Sequence, residues 1–156
     1  MFELSEILDG LPEKETATFF AVFARFEFAL MHQGYLESTQ ESSRASPNWG
    51  RLATRLGNGF LDRADVVAPT IISEPPRKLI VQGGQAGFGN ASTPPVNTTQ
   101  LLEYVRQIRN NLFHGNKMFA RNRARDRQLI TEAVNLLDLI MEEVPELRGS
   151  FEEPQG

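Results

Sequence analysis

The chain has 156 residues, enough for one domain with a proper core. Its 40% hydrophobic and 23% charged residues are ordinary for a globular chain, and its net charge of -4 gives no average attraction to nucleic acid. With no cysteine it has no disulfide scaffold, thiolate nucleophile or Cys-based zinc site, which fits a cytoplasmic protein. The opening MFELSEILDG lacks a signal-peptide pattern, and the longest wholly apolar run, Phe19 to Ala24, is too short to span a membrane.

Residues 12 to 33 predict the first long helix. Phe19, Val22, Phe23, Phe26 and Leu30 recur at helical spacing and form a core stripe. A helix with this much Phe is expected to pack on two surfaces, one of which could belong to a second subunit. Gly34 is the expected stop. Residues 37 to 47, rich in Ser, Thr, Gln and Glu, read as a connection.

A second helix is expected with Ser46 as its N-cap and Pro47 as its first residue. Trp49, Leu52, Ala53 and Leu56 form its apolar face, and Gly57 and Gly59 end it. Residues 60 to 82 are mixed. Ile71-Ile72 and Leu79-Ile80-Val81 suit either short strands or buried helical turns, with Pro75-Pro76 between them. Residues 83 to 97 read as a loop on composition. Their glycines do not make a phosphate loop, because no Lys-Ser/Thr follows.

Asn97, with Gln100 three places on, marks the next helix start. Leu101, Val105, Ile108 and Leu112 give that helix its apolar face. The last long helix runs from about residue 124 to 143, with a stripe of Leu129, Ala133, Leu136, Leu137 and Ile140. The expected fold is all-α, a bundle with an irregular middle segment. One domain covers 1–147, followed by a flexible tail at 148–156.

The stretch RQIRNNLFHGNK, residues 106 to 117, carries the chemistry. Arg109 and His114 would point about 140° apart on a continuous helix. They approach one site if the helix ends between them, or if two subunits meet. Gly115 suits the first route, and Asn110 and Asn111 are poor helix-interior residues.

These side chains suit phosphodiester cleavage. His moves protons near neutral pH. Arg clamps phosphate with a planar fork and stabilises charge developing on its oxygens. Asn110 would support the phosphate or orient the His. RNA brings its own nucleophile, the 2′-hydroxyl, so no metal is needed. One His per chain must serve as both base and acid, and a two-fold dimer would supply two. The plainer reading is a His at a helix C-terminus meeting the last carbonyls, and an Arg paired with Glu103.

The string Arg109-Asn110-Asn111-Leu112-Phe113-His114-Gly115 resembles the signature of the HEPN superfamily, an Arg followed by a polar residue and, a few residues later, a His. Arg25 to Leu30 is similar to part of the first long helix in small bacterial and phage-associated members. The resemblance implies an up-and-down helical bundle with metal-independent endoribonuclease activity. It implies Arg109, Asn110 and His114 as catalytic residues, in sites facing each other across a homodimer. It also implies a role as a toxin or in antiviral defence, acting on RNA such as tRNA or mRNA, often beside a nucleotidyltransferase-like antitoxin. No cofactor is implied. Relatives that have lost activity and only bind RNA, nucleotide or protein provide the alternative. Some toxin members have a Tyr soon after the His; here Gly115, Asn116 and Lys117 follow.

Lys117, Arg121, Arg123 and Arg125, with Arg127 beyond, form the best basic patch and are candidate RNA contacts, or else a solvated helix start. Arg25 and Glu27 interrupt the aromatic helix as possible supports, with Glu27 the suggested partner of Arg109. The other histidine, His32, is expected to be exposed or capping. No metal-ligand spacing is present.

Overall fold

The computed structural model describes residues 1–114 and 123–153. The chain is mostly helical. In order come α1 (Leu4–Leu8), α2 (Glu13–His32), α3 (Trp49–Leu56), α4 (Phe60–Val67) and α5 (Pro69–Ser73). A two-stranded hairpin follows, β1 (Leu79–Gln82) and β2 (Gln85–Phe88). Then come α6 (Thr98–Phe113), α7 (Arg123–Glu143) and α8 (Pro145–Glu152).

The aromatic stripe of α2 builds the core as its spacing predicts. Phe19, Phe23, Phe26 and Leu30 are buried there with Leu101, Val105 and Ile108 of α6 and the Leu129–Ile140 stripe of α7. Helix α2 packs against α7 and α8, α3 against α6, and α5 against α7. No described helix is long and apolar enough to cross a membrane.

The end of α2 is set by Gly34. Its φ of 82° is the left-handed conformation that Gly adopts without strain. The Tyr35 amide then donates to Leu30 O at 2.9 Å and the Gly34 amide to Met31 O at 3.1 Å, which satisfies carbonyls left open at the helix end.

Three expectations need correction, and one reading left open is decided. First, α3 starts two residues late. Pro47 pairs with Leu36 in an isolated bridge, so Asn48 becomes the N-cap and accepts from the Arg51 amide at 2.9 Å. Second, the fold is not purely α. Gly83 and Gly84, at φ 57° and 78°, make a two-residue turn that pairs Gln82 with Gln85 and Leu79 with Phe88.

Third, the mixed 60–82 segment is largely ordered as α4, α5 and β1. Helix α5 is too short to hold itself. The carboxylate of Glu132 on α7 accepts from the Thr70 and Ile71 amides at 2.7 and 3.2 Å and caps it from 62 residues away. Fourth, the expected tail from residue 148 is helical as far as Glu152. Leu147 and Ser150 are buried, and Ser150 Oγ accepts from Gln33 Nε2 at 2.6 Å.

The start of α6 is as read. Asn97 Oδ1 accepts from the Gln100 amide at 2.8 Å, and Gln100 Oε1 reaches back to the Val96 amide at 3.0 Å. Thr98 Oγ1 donates to Gly57 O at 2.6 Å, and the Tyr104 hydroxyl to Thr93 O at 2.6 Å. These bonds fix α6 to the α3–α4 turn and to the connection that leads into it.

Candidate functional site

Helix α6 divides its residues between two sides. Leu101, Val105, Ile108 and Asn111 are buried, while Arg106, Arg109 and Asn110 are partly exposed and His114 is exposed. At about 100° per residue, Arg109, Arg106, Asn110 and His114 fall in that order across one side, with the buried Leu102 between Arg109 and Arg106 at the edge of the core.

The two asparagines part company here. Asn111 is structural: its Oδ1 accepts from Gln107 at 2.7 Å and its Nδ2 donates to Arg77 O at 3.2 Å, tying the hairpin approach to α6. Asn110 is left to the outer side.

The helix ends only at His114, its C-cap, and does not break nearer Arg109. It continues through Phe113, and the His114 amide still donates to Asn110 O at 3.0 Å. No early helix break turns His114 back toward Arg109. His114 is the C-cap, and its ring meets the Phe113 ring edge-on at 5.6 Å. Phe113 is itself 68% exposed.

The Arg109 guanidinium lies over the Phe23 ring, 5.2 Å from its centre. Its Nε is buried and has no hydrogen-bond partner. Among the described residues Arg109 makes no ion pair. Glu27 is not its partner. Glu27 Oε2 instead accepts from the indole Nε1 of Trp49 at 2.9 Å. Beside Arg109, the Arg106 guanidinium lies 5.6 Å from the Trp49 ring centre. Burial lowers the pKa of Arg106, with the Arg109 charge acting in the same direction, while Glu103, Glu27 and Glu37 oppose the shift. The motif reading passed over Arg106, although its place three residues before Arg109 put it on the same face.

The supporting residues scatter. Arg25 lies over Phe151 at 5.4 Å and donates to Glu152 O at 3.4 Å, so it serves α8. Arg123 joins Asp9 at 3.1 Å and Asp126 at 3.3 Å. Arg125 donates to the carbonyls of Glu74 and Pro75 at 2.7 and 2.9 Å. Both arginines hold the start of α7 to neighbouring segments, which gives them structural work apart from any RNA. Lys117 and Arg121 lie outside the described residues. His32 is exposed and stacks on Phe28 at 5.7 Å. Among the described residues no cluster of His or acidic side chains is arranged to hold a metal ion.

Compared with known protein families, with curated proteins and with solved structures, the chain matches none. The site is therefore read from its own residues. It offers two guanidiniums on an aromatic floor, an amide, and an exposed imidazole at the end of the same helix. That set suits an anionic ligand and proton transfer beside it.

Proposed function

We propose that the chain is a metal-independent endoribonuclease of HEPN type, built as a helical bundle and working as a homodimer. The observation that carries this reading is the division of α6. Asn111 is buried with Leu101, Val105 and Ile108, whereas Arg109 and Asn110 of the motif are partly exposed and His114 is exposed.

On one continuous helix Arg109 and His114 sit about 140° apart, so a single chain does not bring both to one phosphate. A two-fold pairing of α6 with its copy sets one subunit's Arg109 against the other's His114 and supplies two imidazoles. One imidazole takes the proton of the RNA 2′-hydroxyl. O2′ then bonds to phosphorus and the P–O5′ bond breaks. The second imidazole, protonated, gives its proton to the leaving O5′. Arg109 stabilises the charge on the non-bridging oxygens, and Asn110 supports the phosphate or His114. The products carry 2′,3′-cyclic phosphate and 5′-hydroxyl ends.

A toxin or antiviral-defence role in the cytoplasm, on tRNA or mRNA and held in check by an antitoxin of nucleotidyltransferase type, belongs to the same proposal. The test is RNA cleavage in excess EDTA, comparing wild type with His114→Ala on several RNAs including whole-cell tRNA. Cleavage by the wild type alone, leaving cyclic-phosphate ends, supports the reading. Equal cleavage by both removes His114 from the mechanism. RNA binding without cleavage by either moves the chain to the non-catalytic binding modules.

A further inference from the structure

Arg106 and Arg109 lack what four other arginines of the described residues have. Arg55, Arg63, Arg123 and Arg148 each meet a carboxylate, at 2.7, 2.7, 3.1 and 2.8 Å. Arg106 and Arg109 meet none among the described residues, although Glu27 stands on the same tryptophan as Arg106.

Both are held by aromatic rings. The Phe23 ring under Arg109 and the Trp49 ring under Arg106 stack on each other, with centres 5.6 Å apart and planes 25° apart. Trp49 is held in turn by Phe26 at 5.4 Å and by the Glu27 hydrogen bond. Two guanidiniums one helical turn apart thus rest on a single rigid floor.

This arrangement is unfavourable when empty. At Arg106, burial and the neighbouring Arg109 charge together outweigh the nearby carboxylates of Glu103, Glu27 and Glu37, and the buried Nε of Arg109 finds no acceptor among the described residues. An oxyanion accepting from both forks would supply a close counter-charge for two partly buried cations.

We infer that Arg106 and Arg109 together form one site for a phosphoryl group, held over the Phe23–Trp49 floor. Its occupant in RNA is a backbone phosphate, so Arg106 is a second phosphate-holding residue beside the Arg of the motif. The identification with RNA rests on the ribonuclease reading; the oxyanion site does not.

Trp49 is the sole tryptophan and lies directly under Arg106, so its fluorescence reports on the site. The experiment titrates the full chain at low salt with inorganic phosphate and, separately, with a 2′-O-methyl RNA oligonucleotide that has no free nucleophile. Wild type is compared with Arg106→Ala, Arg106→Lys, Arg109→Ala, Glu27→Gln and, as a charge-matched control, Arg44→Ala in the exposed 37–47 connection. Arg106→Ala and Arg109→Ala are expected to weaken both probes about tenfold, with the salt slope for RNA falling by about one in Arg106→Ala. Arg106→Lys recovers only part of the loss. Glu27→Gln, which keeps an acceptor for Trp49, tightens phosphate binding about twofold by removing a nearby negative charge, even if an Ala variant folds poorly.

Wild-type affinity and salt slope in Arg106→Ala, with Arg109→Ala weakened, would remove Arg106 and leave the ribonuclease reading standing. Phosphate bound through both arginines, with no RNA bound, would keep the oxyanion site and remove RNA as its source. No response of wild type to either probe overturns the site itself.

Discussion

Glu27 and Trp49, 22 positions apart, are joined by one 2.9 Å hydrogen bond from the indole Nε1 to the carboxylate. The indole is only 3% exposed and stacks on two phenylalanines, so its N–H has a single partner in a largely apolar setting. This bond fixes the floor beneath both guanidiniums of the candidate site.

Glu27→Ala leaves the indole N–H buried without an acceptor, and about 1–3 kcal/mol of stability should be lost. Glu27→Gln keeps an amide oxygen at the same place and should cost much less. Urea unfolding followed by Trp49 fluorescence separates the two. Equal losses in both variants would mean that the carboxylate charge, rather than the hydrogen bond, matters.

The Glu132 cap on α5 gives a second stability test. Its carboxylate serves two amides at the start of a five-residue helix that begins with Pro69. Glu132→Ala should cost about 1–3 kcal/mol, because a buried and a part-buried donor lose their acceptor. Hydrogen exchange at Thr70 and Ile71 should accelerate more than exchange in α2. A uniform acceleration across the chain would show that α5 opens only with the whole fold.

The long helices were legible because each carries its own signals. The Phe stripe of α2 and its Gly34 stop, and the Asn97 start of α6, are local in sequence. The short elements are not local. Helix α5 depends on Glu132, and the first turn expected at Pro47 yields to the bridge with Leu36. The Gly83-Gly84 pair was a readable hairpin signal, hidden by the glycines around it. At the candidate site, spacing alone put Arg109, Asn110 and Arg106 on one side of α6. It gave no sign that Glu27 would turn to Trp49, because that contact is set by the packing of α2 against the start of α3.

Arg125 separates structural from nucleic-acid roles in the basic patch. Its guanidinium holds the Glu74 and Pro75 carbonyls, so Arg125→Ala should lower stability by about 1–2 kcal/mol without any RNA present. Arg127 is exposed, and its replacement by Ala should change stability by less than about 0.5 kcal/mol. Thermal melts of the two variants in RNA-free buffer give the comparison. An unchanged melting temperature for Arg125→Ala would return that residue to the candidate RNA contacts.

Asp126 supplies a pH dependence with a definite sign. The side chain is 1% exposed, and burial pushes its carboxyl up to about 6, against the pull of Arg123 and Arg125. Asp9 shares the Arg123 guanidinium. In the unfolded chain an Asp titrates near about 3.9. Below about pH 4 the carboxyl is protonated in both states. As pH rises from about 4 to 6 the unfolded chain loses this proton while the folded chain keeps it, which favours unfolding. Stability is therefore lost across that window, by no more than about 3 kcal/mol, and levels off above it. Asp126→Asn removes this titration. Its stability relative to wild type should rise between pH 4 and 6.5 and then stay constant, as measured by urea unfolding at each pH. A difference that does not change with pH would show that Asp126 titrates alike in both states, and a difference of opposite slope that Arg123 dominates over burial.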